Sequence, residues 1–111
     1  MDKKTEICEY LKQHHVGRER AIYSRELQRL FSIDGRSLRR KINRLRQVGI
    51  PICSGETGYY YAENEQELND TIIRLNELET KIGKAKAGLT RSVRTNEQTV
   101  VLEITIRVKE D

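Results

Sequence analysis

The chain has 111 residues, a formal net charge of +4, 34% charged residues and 36% hydrophobic residues. That length holds one compact domain with an appendage, and two cysteines, Cys8 and Cys53, are too few for a disulfide framework. No apolar run approaches the roughly 18 residues a membrane-spanning helix needs, and the opening Met1-Asp-Lys-Lys-Thr-Glu6 does not read as a signal peptide, so a cytosolic location is expected.

The first helix is expected over Thr5 to His15, with Ile7, Cys8, Tyr10 and Leu11 inward and Gly17 as its stop. Arg18-Glu-Arg20 reads as a charged loop and Ala21-Ile-Tyr23 as a short strand. Ser24 is placed as the N-cap of a brief second helix, Arg25 to Phe31, with Leu27, Leu30 and Phe31 facing the core. Ser32-Ile-Asp-Gly35 forms the turn. Ile33 fills the space between the two helices, and the Asp34 carboxylate caps the next one.

That third helix, running from Asp34 to about Val48 and stopping at Gly49, carries the most informative pattern. Leu38, Ile42 and Leu45 form a buried stripe. A 3.6-residue period puts Arg36, Arg40, Asn43 and Gln47 opposite, with Arg39 and Arg44 on the flanks. An ordinary solvated helix face mixes both signs of charge. This helix contains no Glu, and its outward face suits a DNA major groove. By contrast, Glu63, Glu65, Glu67, Asp70, Glu77 and Glu79 stand against only Arg74 further along, so the charge is segregated.

Ile50-Pro-Ile-Cys53 and Tyr59-Tyr-Tyr-Ala62 are expected to form a hairpin around a Ser54-to-Gly58 turn, with Pro51 at an edge. Strand alternation sends at least one of the tyrosines into the core, which weighs against base stacking as their main role. Asn64-Glu-Gln-Glu67 reads as a capping box opening a long helix. Leu68, Ile72, Leu75, Leu78, Ile82, Ala85 and Leu89 recur along it in steps of three and four, although Glu79 falls where another apolar residue is expected. Gly88 is placed at its end and Thr90 to Gln98 as a polar connector. Thr99 to Lys109 alternates as a half-buried strand, with Val100, Leu102, Ile104, Ile106 and Val108 on one side. A lone strand needs a partner, either its copy across a two-fold axis or the sheet of another protein.

Ile22-Tyr-Ser-Arg-Glu-Leu27, Phe31-Ser-Ile-Asp34, Ser37-Leu-Arg-Arg-Lys-Ile42, Leu45, Gly49-Ile-Pro-Ile52 and Gly58-Tyr-Tyr-Tyr61 together resemble the winged helix-turn-helix domains that open DeoR-type regulators and the biotin repressor. The likeness covers residues 5–62 and is nearest to short winged-helix proteins of phages and prophages. It implies groove contacts from Arg36, Ser37 and Arg40, phosphate contacts from Ser24 and Arg25, and a wing that includes Gly55, Thr57, Gly58 and Tyr60. The wing tip, Gly55-Glu-Thr57, departs from the pattern in having no Lys or Arg. No effector or ligase domain follows the winged helix, so sensing and catalysis do not carry over.

The expected fold class is therefore α+β: a winged helix over 1–62, a long helix over 63–89, and a connector with a C-terminal strand over 90–111. The expected function is duplex DNA binding through Ser24, Arg25, Arg36, Ser37, Arg39, Arg40, Asn43, Arg44 and Gln47, as a transcriptional regulator. Homodimerisation is expected through Leu68, Ile72, Leu75, Leu78, Ile82 and the strand residues Val100, Leu102, Ile104 and Ile106. The alternatives are a phage replication, recombination or packaging accessory protein, and a protein adaptor that does not bind DNA. No carboxylate pair, nucleophile triad or phosphate loop points to an enzyme. Cys8, His14, His15 and Cys53 lack metal-ligand spacing, so neither metal nor cofactor is expected.

Overall fold

The computed structural model describes residues 2–95. In chain order the elements are α1 (Lys3–His14), a 3₁₀ turn (Arg18–Arg20), α2 (Ser24–Phe31), α3 (Gly35–Gln47), β1 (Ile52–Gly55), β2 (Gly58–Tyr61) and α4 (Glu65–Thr95). Contacts divide the chain into two compact units, Met1–Arg74 and Leu75–Asp111.

The first unit is built around side chains that helical and strand spacing bring to one centre. Ile7 and Leu11, one turn apart on α1, are fully buried, as are Leu27 of α2 and Leu38 of α3. Ile42, Leu45, Ile22 and Ile52 complete the cluster, so the stripe expected on α3 is the stripe that packs. Two helices begin as their sequences direct. Asp2 accepts the Thr5 N–H at 2.8 Å and Asp34 accepts the Ser37 N–H at 2.7 Å. The Thr5 N–H, with the nearby positive charges, holds the Asp2 carboxyl below its ordinary range.

β1 and β2 pair antiparallel, with Ile52 opposite Tyr61 and Gly55 opposite Gly58. Glu56 and Thr57 form the tight turn between them. Pro51 sits just before β1, where its missing N–H breaks no ladder bond, and its carbonyl accepts the Ala62 N–H at 2.9 Å. β2 is paired on its other edge too. Tyr59 and Ile22 exchange both backbone hydrogen bonds at 2.9 Å, and Tyr61 bonds the His15 carbonyl and the Gly17 N–H. The short strand expected at Ala21–Tyr23 is thus a single bridge on Ile22. Gly58 makes the approach possible: its φ is +117°, and a Cβ there would stand 2.0 Å from the Ile22 carbonyl oxygen.

The start of α4 belongs to this unit. Asn64 Oδ1 accepts the Glu67 N–H at 3.0 Å, the first half of the expected capping box. The Glu67 carboxylate reaches back one residue further than the box requires. It accepts the Glu63 N–H at 2.9 Å and the Arg18 N–H at 2.8 Å. Thr71 accepts the Ser54 N–H at 3.3 Å, and Arg18 pairs with Asp70 at 2.5 Å.

Four expectations are corrected. The fold class expected, α+β with a strand after the long helix, is not what the described residues show: they are mostly helical, with four α-helices and one two-stranded hairpin in the middle. α4 is the last described element and runs through Gly88 to Thr95, over much of the expected connector. A helical glycine costs only about 1 kcal/mol relative to alanine, and the Thr90 hydroxyl stays within the helix by donating to the Lys86 carbonyl at 2.9 Å. The expected strand, with Val100, Leu102, Ile104, Ile106 and Val108, lies outside the described residues. Third, Ser24 is the first helical residue and not the cap. Tyr23 holds the cap position, and Ser24 Oγ accepts from Gln28 Nε2 at 3.0 Å. Fourth, Leu30 is 52% exposed, because an eight-residue helix turns only Leu27 and Phe31 onto the core.

Gly58→Ala is expected to destabilise the protein by at least about 2 kcal/mol, since it combines backbone strain with a direct clash. Gly49→Ala, at φ +89° in open space, is expected to cost only about 1 kcal/mol; urea denaturation of both variants makes the comparison. The Asp70 carboxyl is held below its ordinary 3.8 by the hydrogen bond from Arg18 and then by that from Gln66. Its folded value is depressed, so its contribution is present above pH 3.8 and is lost as pH falls through the folded value. An NMR titration should show Asp70 protonating below 3.8 in the wild type and closer to it in Arg18→Ala.

Candidate nucleic-acid interface

The core stripe of α3 fixes which side chains face outward. With Leu38 and Ile42 buried, Arg36, Arg39, Arg40, Asn43, Arg44 and Gln47 are all exposed. Among the described residues none of Arg36, Arg39, Arg40 or Arg44 takes part in an ion pair. These side chains give one side of α3 an excess of positive charge, with Asp2 the acidic neighbour at its Arg44 flank, and such a face attracts a polyanion.

The remaining basic residues of α3 behave differently. Lys41 is half-buried and donates to Ser37 Oγ at 3.1 Å. Ser37 thereby has its hydroxyl engaged within the helix while its N–H serves the Asp34 cap. Arg46 turns away to the hairpin. Its Nε donates to the Ile52 carbonyl at 2.8 Å, its Nη2 donates to Ser54 Oγ at 3.1 Å, and its guanidinium lies 6.0 Å from the Tyr59 ring centre. Burial pushes the Arg46 pKa down, yet an arginine stays charged at any ordinary pH. Arg46 is a structural tie between α3 and the hairpin, which the pattern of charges alone does not reveal.

Lys3 and Lys4 stand beside this face, a neighbourhood that the sequence reading did not include. With Asp2, Lys41 and Arg44 they line an open recess of about 300 Å³, where the first turn of α1 meets the flank of α3. The basic face of α3 thus extends to the start of α1. The Lys3-Lys4 doublet ahead of the first apolar residue of α1 was the available signal.

The other expected site residues divide clearly. Arg25 is exposed and Ser24 half-buried at the first turn of α2. Thr57 is exposed at the hairpin turn and Gly55 is half-buried, but Gly58 is pressed against Ile22. Tyr60 is corrected: it is 1% exposed and sits in the core, so it has no surface to offer a ligand. Tyr59 and Tyr61 are half-buried against the same core. Cys53 is buried with its thiol on the Glu67 carbonyl, and burial pushes its pKa up, as it does for Cys8. His15 Nδ1 lies 2.7 Å from the Arg20 carbonyl, inside an aromatic group with Tyr10 and His14. Among the described residues no cluster of three or more His, Cys, Asp or Glu has the geometry to hold a metal ion.

No protein family model, curated protein or solved structure matches this chain. No helix among the described residues is long and apolar enough to cross a membrane.

Arg46→Ala is expected to lower stability by about 1–2 kcal/mol, through lost hydrogen bonds and packing. Arg36→Ala and Arg40→Ala are expected to stay within about 0.5 kcal/mol of wild type. Thermal and urea denaturation of the three variants should show this split.

Proposed function

We propose that this protein is a cytosolic duplex DNA-binding protein of the winged helix-turn-helix type, acting as a dimer in transcriptional regulation. The observation that carries this is the outward face of α3: four exposed arginines without an ion pair among the described residues, beside exposed Asn43 and Gln47. The helix is anchored by three buried side chains, so these groups are presented on a rigid element. Arginine can bind guanine O6 and N7 in a two-pronged way, and asparagine can do the same on adenine. In this reading Arg25, Lys3 and Lys4 add contacts to the phosphate backbone. With no cation at the hairpin turn and Tyr60 in the core, the proposed binding rests on α3 and its surroundings.

Neutralising about four phosphates gives a logarithmic salt slope near −3.6 for duplex DNA. Binding to mixed genomic fragments is therefore expected to weaken by about a hundredfold between 50 and 200 mM salt. Arg40→Ala should relax base preference at one position of a selected site if it reads a base, and should weaken all sequences alike if it meets phosphate. Fluorescence anisotropy across a salt series tests both. Absent or salt-independent binding contradicts the proposal.

A further inference from the structure

We propose that residues 75–93 of α4 pair with the same segment of a second copy as an antiparallel two-helix seam, in the register that sets Ile82 against the partner's Ala85. This rests on the self-association in the function proposed above and not on DNA binding.

Leu75, Leu78, Ile82, Ala85 and Leu89 recur in alternating steps of three and four on a continuous helix, and all are exposed. Ile82 is 69% exposed and Leu89 66%, values far from those of core residues. Such a stripe is the seam of a two-helix coiled coil, and the charges beside it decide how two copies meet. Arg74 and Lys81 flank the seam on one side, Glu79 and Lys86 on the other.

In a parallel pair the two sides face each other. Arg74 would meet the partner's Glu79 favourably, but Lys81 would meet the partner's Lys86, and Ala85 would face the partner's Ala85 across a gap. In an antiparallel pair each side faces its own copy. With Ile82 against the partner's Ala85, a large residue fills the space a small one leaves, and Leu78 meets the partner's Leu89. Glu79 then lies beside the partner's Lys86, and the two-fold axis makes that contact twice. Sliding by one heptad in either direction sets Glu79 against the partner's Glu79 or Lys86 against the partner's Lys86. Charge therefore selects both direction and register, and side-chain size agrees.

The test is sedimentation equilibrium of the full chain without DNA, on wild type, Glu79→Lys, Lys86→Glu and the double exchange. These positions are exposed, so the helix itself tolerates the changes. The wild type is expected to dimerise at tens of micromolar or below. Each single reversal turns two attractions into two repulsions and should weaken the dimer by about tenfold. The double exchange should return to within about threefold of wild type, because the pairs are restored with the charges swapped. A tighter dimer in Lys86→Glu would indicate a parallel pair and overturn the proposal. So would single reversals without effect, a double exchange that stays weak, or a monomeric wild type. DNA affinity measured separately on the same samples distinguishes failure of the seam from failure of the DNA-binding role.

Discussion

The first unit depends on β2 being paired along both of its edges. A two-stranded hairpin alone is marginal in water. Here β2 gains a second row of bonds from His15, Gly17 and Ile22, so the segment between α1 and α2 serves as its second neighbour. This pairing turns Tyr60 into the core and fixes Ser54 where Arg46 can reach it. The orientation of α3 follows: its inner stripe packs on α1 and α2, and its last turn is tied to the hairpin. The exposed arginines follow from that inner stripe, which leaves the opposite side of α3 to solvent.

The helix carrying the positive face also contains two cations bonded within the protein. Lys41 and Arg46 are partly buried and bonded within the protein, whereas Arg36, Arg39, Arg40 and Arg44 are left facing solvent. Repulsion among the exposed four is tolerable because water and salt screen surface charges over about 8–10 Å. A polyanion laid on the same face would relieve it.

Much of this was legible in the sequence. Leu38, Ile42 and Leu45 disclosed which side of α3 is buried, and Asp34 disclosed where it begins, because both signals are local. The hairpin was visible for the same reason. The fate of Arg46 was not, since its partners Ile52 and Ser54 are positioned only when the hairpin folds back. Ser24 looked like a cap from its residue type, but the helix starts one residue earlier and its hydroxyl is used inside. Leu30 matched the helical period, yet a helix of two turns has room for only a narrow contact. Gly88 does not mark the end of α4, because one glycine inside a long helix costs only about 1 kcal/mol relative to alanine. In open helical geometry Gly88 only lowers the helix's margin.

The Glu67 carboxylate is the shared acceptor of two amides that lie far apart in the chain, those of Arg18 and Glu63, while the Glu67 carbonyl receives the Cys53 thiol. Releasing that one side chain frees both amides together. Exchange at the Arg18 and Glu63 amides is therefore expected to be coupled through one local opening. Glu67 thus joins the turn after α1 to the root of α4 through a single side chain.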